Sequence, residues 1–220
     1  MRILVLSDFH GNPPIVKNIF QKTPKEELDL IVVCGDITHY GNLRQAKEML
    51  KVLTDLGVPL LFVPGNCDPK ELVDVQSFNG ATNLHGRCRE IKELGFLGVG
   101  GSPPGPFNTP FEIPEDEIKK LLDEAYGNLN IKDRFVLISH VPPIYTKVDL
   151  TSFGVYAGSR AVREFVEISK PSLVLCGHIH EARGTDTINS IPIINPGPAH
   201  RGLYAIVDVN GGVKIKLCAL

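Results

Sequence analysis

Five short apolar runs, each ending in or followed by glycine or a polar residue, constrain the fold of this chain more than any other feature. Each run is four to six residues long and consists mainly of Ile, Val and Leu. Runs of this length and composition indicate strands that are buried on both faces. The predicted strands are Arg2–Ser7, Leu30–Cys34, Pro59–Val63, Phe135–Ser139 and Leu173–Cys176.

Helical patterns lie between several of these strands. Leu43–Leu56 carries apolar residues at helical spacing and stops at a glycine, and Glu115–Tyr126 is a second helical pattern. Ser159 is a suitable cap for a further helix that runs to Ser169. The sequence Thr23-Pro24-Lys25-Glu26 also has the form of a helix start, with a capping hydroxyl, a proline and a glutamate.

After residue 180 the sequence changes to short strands joined by turns. We predict these strands at Thr185–Ile188, Ile191–Ile194, Leu203–Val209 and Val213–Leu217. Strands that alternate with helices and then continue alone predict an α/β core with a second sheet that is mixed or antiparallel. No linker or internal repeat is evident, so we expect a single domain over residues 1–220. A loop rich in proline and glycine, Gly100–Pro114, is either a lid or a connection.

Composition and charge exclude several classes of protein. The chain has 220 residues, with 23 Lys and Arg against 25 Asp and Glu, and its formal net charge is -2. A dedicated nucleic-acid-binding protein normally carries a basic surplus, because phosphate neutralisation drives its affinity. The amino terminus does not resemble a signal peptide, and no apolar run approaches the length of a membrane span. Five cysteines without a Cys-x-x-Cys pair favour a reducing cytoplasm.

Polar segments suited to chemistry stand at the ends of the first five predicted strands. They are Asp8-Phe9-His10, Gly35-Asp36, Gly65-Asn66-Cys67-Asp68, Ser139-His140 and Gly177-His178-Ile179-His180. The carboxyl ends of strands in an α/β sheet form the crevice where ligands bind, so we expect these segments to converge. They offer carboxylate oxygens, imidazole nitrogens and an amide carbonyl oxygen, which are ligands that manganese, iron, zinc, cobalt and nickel accept.

Each of these segments is weak evidence when it is taken alone. A single histidine after a strand is more often an ordinary, partly buried residue, and Asp36 or Asn66 could simply form a turn. The ordered set of five favours a metal site over five unrelated turns. If two ions lie about 3.5–4 Å apart, as in two-metal hydrolases, one carboxylate must bridge them.

The order Asp-x-His, Gly-Asp, Gly-Asn-x-Asp, His, Gly-His-x-His resembles the calcineurin-like metallophosphoesterase superfamily, and the resemblance spans Asp8 to His180. The chain length is similar to that of the small single-domain prokaryotic phosphodiesterases of the superfamily. The resemblance implies a four-layer α-β-β-α sandwich of two mixed β-sheets flanked by helices. It also implies two divalent metal ions per chain, which would be manganese, iron, zinc or nickel.

The resemblance assigns the metal ligands by position. The first ion would be held by Asp8, His10, Asp36 and His180, and the second by Asp36, Asn66, His140 and His178, with Asp36 as the bridge. The reaction implied is in-line attack of a metal-bound hydroxide on phosphorus, which needs no covalent enzyme intermediate.

Cys67 is the one departure from the family pattern. Many members have a histidine here that helps to stabilise or protonate the leaving group, and a thiol is a poor substitute at neutral pH. Cys67 is therefore either a participant in catalysis or a small buried side chain. The next residue, Asp68, is more simply interpreted as the start of a capping box, Asp68-Pro69-Lys70-Glu71.

Residues outside the ligand set are candidates for substrate contacts. We expect Asn12, His39, His200 and Arg201 to face the substrate, together with the ligand Asn66. For each histidine among them, a solvated loop position is the competing interpretation.

The function predicted from these features is hydrolysis of a small phosphoester, with a preference for diesters, because the chain lacks a histidine acid at Cys67. A protein phosphatase is the enzymatic alternative, and a DNA nuclease ranks lower because of the net charge of -2. A non-catalytic scaffold with the same fold is the alternative from another class, but no ligand position has been replaced. Apolar edges near the terminal strands would allow a homodimer.

Overall fold

The computed structural model describes residues 1–23 and 27–220. The helices in this part of the chain are α1 (Pro13–Lys22), α2 (Leu43–Thr54), α3 (Glu115–Gly127) and α4 (Arg160–Ser169). The strands are β1 (Arg2–Leu6), β2 (Leu30–Val33), β3 (Leu60–Phe62), β4 (Ser77–Phe78), β5 (Ala81–Asn83), β6 (Arg87–Ile91), β7 (Leu94–Val99), β8 (Phe135–Ser139), β9 (Leu173–Leu175), β10 (Gly184–Ile188), β11 (Ile191–Asn195), β12 (Leu203–Val209) and β13 (Val213–Ala219).

These strands form two mixed sheets. One has the order β13-β12-β1-β2-β3-β5-β4, and the other has the order β10-β11-β9-β8-β7-β6. The middle of each sheet is parallel, with β1, β2, β3 and β5 in one and β7, β8, β9 and β11 in the other. Antiparallel strands close the edges.

Three apolar clusters define the layers. Residues such as Ile3, Val32 and Val136 pack between the sheets, since neighbouring residues on the same strands, such as Leu4, point to the opposite face. The outer face of the seven-stranded sheet packs on α1 and α2, and that of the six-stranded sheet packs on α3 and α4. This arrangement confirms the predicted four-layer α-β-β-α sandwich.

Most elements lie within about two residues of their predicted bounds, and Ser159 accepts a hydrogen bond from the Val162 N–H as the cap of α4. The prediction missed α1 and the four strands β4 to β7. Two prolines at the start of α1 follow Asn12, which makes no side-chain cap bond, so the usual start signal is weak. The helix start predicted at Thr23–Glu26 lies mainly outside the described residues. Among the helices of the described part, none is long and apolar enough to cross a membrane.

Candidate metal centre

The predicted ligand segments lie at the carboxyl ends of five strands. Three follow β1, β2 and β3 of one sheet, and two follow β8 and β9 of the other, so the site forms where the sheets meet. The backbone is left-handed at Asp8, His10, Asp36 and His178, with φ of 58°, 50°, 51° and 69°. Non-glycine residues rarely adopt such angles, and local strain of this kind concentrates at functional sites.

One group of possible ligands consists of Asp8, His10 and His180, whose ligand atoms all lie within 4.8 Å of one another. His180 Nε2 is 3.3 Å from Asp8 Oδ1 and 3.1 Å from His10 Nε2. Burial by itself raises the pKa of Asp8, but the hydrogen bond and charge of His180, together with His140, hold that pKa below its ordinary value. A carboxylate and two imidazoles therefore converge in this group.

A second group surrounds His140, which is fully buried. Its Nδ1 is 2.7 Å from the carbonyl oxygen of Cys34, which can only accept, so a neutral ring directs the lone pair of Nε2 into the site. This Nε2 lies 2.8 Å from Asn66 Oδ1, and the ring of His178 packs against His140 with centroids 4.9 Å apart. Two acceptor atoms directed at the same region suit a cation.

Asp36 lies between the two groups. Its Oδ2 is 3.8 Å from His10 Nε2, and its Oδ1 is 3.4 Å from His140 Nε2, so each carboxylate oxygen faces one group. Burial raises the pKa of Asp36; His140 opposes this rise, and the carboxylates of Asp8 and Asp68 add to it. A cation beside Asp36 would restore its charged form.

Two of the imidazoles, those of His10 and His178, are in the form that metal ions need. Removal from water lowers the pKa of His10 to about 4 and that of His178 to about 3. Both rings are therefore neutral at pH 7, and a neutral imidazole is the ligand form. The combination of oxygen and nitrogen donors fits manganese, iron, zinc or nickel, as predicted, and does not distinguish among them.

Two glycines allow the ligand loops to approach closely. A Cβ atom on Gly65 would lie 2.0 Å from Asp36 Oδ1, and a Cβ atom on Gly177 would lie 1.8 Å from Ser7 Oγ and 2.9 Å from Asp8 Oδ2. Any side chain at either position would displace a proposed ligand. The loop of His178 and His180 is also held by the Asn195 amide, which donates to the carbonyl groups of Gly177 and Ile179.

Asp68 does not cap a helix, which corrects the expectation from the sequence. The residues after it form a 3₁₀ turn, Lys70–Asp74, without a side-chain cap. Its buried carboxylate instead accepts hydrogen bonds from the N–H groups of Ile37, Thr38 and Gly65 at 2.7–3.1 Å, and from the Thr38 hydroxyl at 2.9 Å. Asp68 thus joins the loop that carries Asp36 to the loop that carries Asn66. The sequence Asp-Pro-x-Glu concealed this role, because it also fits a capping box.

A cavity of about 540 Å³ opens over both ligand groups. His39 and His200 line it: the ring of His39 lies 5.1 Å from that of His10, and His200 Nδ1 lies 3.0 Å from the Asp8 carbonyl oxygen. Asn12 and Arg201 are not among its lining residues in the described part of the chain. Substrate contacts by these four residues remain predictions.

Cys67 also lines this cavity, and its backbone N–H donates to Asp36 Oδ1 at 2.8 Å. Burial and the nearby Asp36 carboxylate raise the pKa of the thiol. The thiol therefore stays protonated at neutral pH and is a weaker acid than a free cysteine. A thiol with a raised pKa is a poor general acid for a leaving group.

Sequence reasoning did not identify the aromatic residues around the cavity. Tyr40 and Phe107 line it, and Phe107 belongs to the loop Gly100–Pro114, for which the sequence predicts either a lid or a connection. The available signal was an aromatic residue in a loop of prolines and glycines, which has no periodicity to place it.

A model of the calcineurin-like phosphoesterase family matches residues 1–182, a stretch that contains all five ligand segments. The chain belongs to the calcineurin-like phosphoesterase family. Membership confirms the resemblance seen in the sequence and identifies the protein as a metal-dependent phosphoesterase.

Known proteins resemble this phosphoesterase over nearly their whole length. An uncharacterised protein of Methanocaldococcus jannaschii is 37% identical over 210 residues, which are 93% of this chain and 91% of the relative. Phosphopantetheinyl hydrolase from Mycobacterium tuberculosis superimposes with a TM-score of 0.64 at 16% identity, covering 90% of this chain and 89% of that one. The structure of an archaeal phosphodiesterase superimposes with a TM-score of 0.50 at 16% identity, covering 99% and 100%. At these identities, the two structures support the fold and do not define the substrate.

Proposed function

We propose that this phosphoesterase is a phosphodiesterase that works with two divalent metal ions. The observation that carries the proposal is the position of Asp36, whose two carboxylate oxygens face separate groups of ligand atoms. A carboxylate placed in this way is suited to bridging two ions. The imidazoles on either side supply the remaining donors, and those of His10 and His178 are neutral at pH 7 because removal from water lowers their pKa.

Each ion would have its own set of ligands. Asp8, His10, Asp36 and His180 would hold one, and Asp36, Asn66, His140 and His178 would hold the other. When bound, two such ions lower the pKa of the attacking water, neutralise the phosphate oxygens and orient the ester for in-line displacement.

The other residues of the site orient the substrate and limit its chemistry. His200 points Nδ1 at the Asp8 carbonyl oxygen, which leaves its Nε2 available to a phosphate oxygen. The protonated Cys67 thiol is a poor general acid, so esters with good leaving groups are hydrolysed fastest. We therefore propose diesters as substrates in preference to alkyl monoesters.

The test is an assay of chelator-stripped protein on bis(p-nitrophenyl) phosphate, with manganese, nickel, zinc or iron(II) added back separately. Metal should restore turnover in the wild type, and Asp36→Asn and His140→Ala should each lose at least about a hundredfold of kcat, since each removes a proposed ligand. Asp55→Asn is a matched control, because Asp55 is exposed at the end of α2.

Elemental analysis of the same samples separates the alternatives. Two metal equivalents per chain with turnover support the proposal. Two equivalents with no turnover on any aryl ester would favour a protein phosphatase or a scaffold that binds metal. Fewer than one equivalent in the wild type would overturn the dinuclear centre.

We also propose a cytoplasmic location, which rests on cysteine chemistry alone. All five cysteines are free thiols. Free thiols persist in a reducing compartment and tend to oxidise outside it.

A further inference from the structure

A second cavity of about 550 Å³ adjoins the metal centre. It shares Asn66, Phe107, Thr109, His178 and His180 with the cavity over the ligands, so the two form one continuous space. We call this second cavity the aromatic cleft. Its walls are the loop that carries Phe107 and Glu112 and the loop that carries Phe153 and Glu181.

Two phenylalanines stand at the mouth of the aromatic cleft with little contact to the rest of the protein. Phe107 is 80% exposed and Phe153 is 90% exposed, whereas the other large apolar residues of this fold are mostly buried. Exposed aromatic rings beside a cavity of this size are typical of a ligand site, because a ligand can cover them.

The loop of Phe153 is held in place before any ligand binds. The N–H of Thr151 donates to the Val155 carbonyl oxygen at 2.9 Å, and the N–H of Gly154 donates to the Thr151 carbonyl oxygen at 3.0 Å. Glu181 accepts from the Ser152 N–H at 3.0 Å. Phe153 is therefore at the tip of a closed turn.

The loop of Phe107 is held in a similar way. Glu112 accepts hydrogen bonds from the Thr109 N–H at 2.8 Å and from the Thr109 hydroxyl at 2.7 Å. Five prolines in this loop, Gly100–Pro114, reduce its freedom further. Both phenylalanines are thus presented by ordered loops, which lowers the entropy cost of binding.

The charge of the aromatic cleft decides which ligand it can take. Among its lining residues in the described part of the chain, none is Lys or Arg, and two are the carboxylates Glu112 and Glu181. A second phosphate group would find no Lys or Arg side chain here and would be repelled by these carboxylates. An uncharged aromatic group would instead cover apolar surface and contact the two phenylalanine rings.

We propose that the aromatic cleft binds one ester arm of the substrate, and that this arm is aromatic and uncharged. The substrate class is therefore a phosphodiester with one phosphate, held at the metal centre, and an aromatic group beside it. Diesters with further phosphates on that arm, including polynucleotides, are excluded. This inference rests on the proposed function, since it takes the phosphate position from the metal centre.

The test is calorimetric titration of manganese-loaded protein with methylphosphonate, phenylphosphonate and 4-carboxyphenylphosphonate, which share one phosphorus head group. Phenylphosphonate should bind at least about tenfold more tightly than methylphosphonate. The carboxylate of 4-carboxyphenylphosphonate should remove most of this tenfold increase in affinity. In Phe107→Ala/Phe153→Ala, the ratio of phenylphosphonate to methylphosphonate affinity, measured on the variant itself, should fall to about twofold or less. Ile168→Ala is the control, because Ile168 is 72% exposed on α4 and does not line the cleft.

Equal affinity for methylphosphonate and phenylphosphonate would overturn the inference. It would also be overturned if the double variant kept the gain, or if none of the three compounds bound. Because binding is measured without turnover, the two proposals can fail separately. A gain for phenylphosphonate in protein that hydrolyses no diester would support the aromatic cleft and count against the phosphodiesterase. Turnover of a diester without tighter binding of phenylphosphonate would support the phosphodiesterase and count against the aromatic cleft.

Discussion

The metal centre and the aromatic cleft share a wall, but their residues are held in different ways. At the metal centre the polar side chains are buried: Asp8, Asp36, Asn66, Asp68 and His140 are all 5% exposed or less. In the aromatic cleft Phe107 and Phe153 are exposed, and loop hydrogen bonds hold only the backbone beneath them. One region contradicts the usual distribution of polar residues, and the other contradicts that of apolar residues.

This difference indicates how each region responds to change. A buried polar cluster is packed on all sides, so a single added or removed atom displaces several hydrogen-bonded groups. An exposed loop has solvent on one side and can absorb the same change. The two regions should therefore differ in mutational cost even for identical substitutions, and the predictions below compare them.

The largest difference is expected for one substitution made in both regions. Gly65→Ala would place its Cβ 2.0 Å from Asp36 Oδ1, whereas a Cβ at Gly105, in the wall of the aromatic cleft, meets nothing within 4 Å. We expect Gly65→Ala to lower kcat/KM by about a thousandfold, or about 4 kcal/mol, because it displaces the bridging carboxylate. Gly105→Ala should stay within about twofold of the wild type.

Both glycine variants would be measured for metal content and for steady-state kinetics on bis(p-nitrophenyl) phosphate. Loss of one or both metal equivalents in Gly65→Ala alone would fit the predicted displacement. Comparable kinetics for the two variants would show that the metal centre tolerates backbone change as well as the cleft does.

The carboxylates that fasten loops in the two regions allow a second comparison, this time of stability. Asp68 is fully buried and accepts four hydrogen bonds, whereas Glu112 is partly exposed and accepts from Thr109 and Gly105. Asp68→Ala leaves buried N–H groups without a partner and should lower the free energy of unfolding by about 3 kcal/mol. Glu112→Ala should cost about 1 kcal/mol or less, because water can replace the lost acceptor.

Urea unfolding followed by circular dichroism measures both effects, with Asp74→Ala as an exposed control in the turn after Asp68. If Asp68→Ala lowered the free energy of unfolding no more than Glu112→Ala, the buried hydrogen bonds of Asp68 would not stabilise the loops as its contacts indicate.

The sequence predicted the metal centre far better than the cleft, and the reason is physical. A ligand such as Asp36 stands directly after a buried strand, so the strand pattern fixes its place in space. Phe107 and Phe153 stand in irregular loops, where no periodicity says which way a side chain points. Strand β6 was missed for a related reason, since its edge position lets charged residues such as Arg89 and Glu90 break the apolar pattern.

The base of the Phe107 loop should make stability depend on pH. His85 is buried, and its Nδ1 accepts a hydrogen bond from the Gly100 N–H at 2.9 Å. Burial, with a smaller effect of Arg87, lowers the pKa of His85 from 6.5 to about 4. Between these values the unfolded chain holds a proton that the folded chain lacks, so stability falls as the pH falls through this window.

We expect His85 to account for about 2 kcal/mol of the stability lost between pH 7 and pH 5. In His85→Gln the change between these pH values should be smaller by that amount, since glutamine keeps an acceptor and does not titrate. Urea unfolding of chelator-treated protein at pH 7, 6 and 5 measures it. An identical pH dependence in His85→Gln would show that protonation of His85 does not cause the loss of stability.

The smallest expected effect is at Cys67, which lines the cavity over the metal centre. Its backbone N–H donates to Asp36, but its side chain lines the open cavity, so the position combines a fixed backbone with space for a larger side chain. Cys67→His would place an imidazole, which can donate a proton near neutral pH, where the thiol cannot. We expect about a tenfold rise in kcat on glycerol phosphate, a monoester with a poor leaving group. Turnover of bis(p-nitrophenyl) phosphate should change by less than about threefold, because p-nitrophenolate leaves without protonation.

Phosphate release measures the rate on glycerol phosphate, and absorbance measures the rate on bis(p-nitrophenyl) phosphate. Cys67→Ser, which adds no general acid, is the control. If Cys67→Ser raised the monoester rate equally, or if Cys67→His raised both rates alike, the thiol would not be what limits this enzyme to diesters.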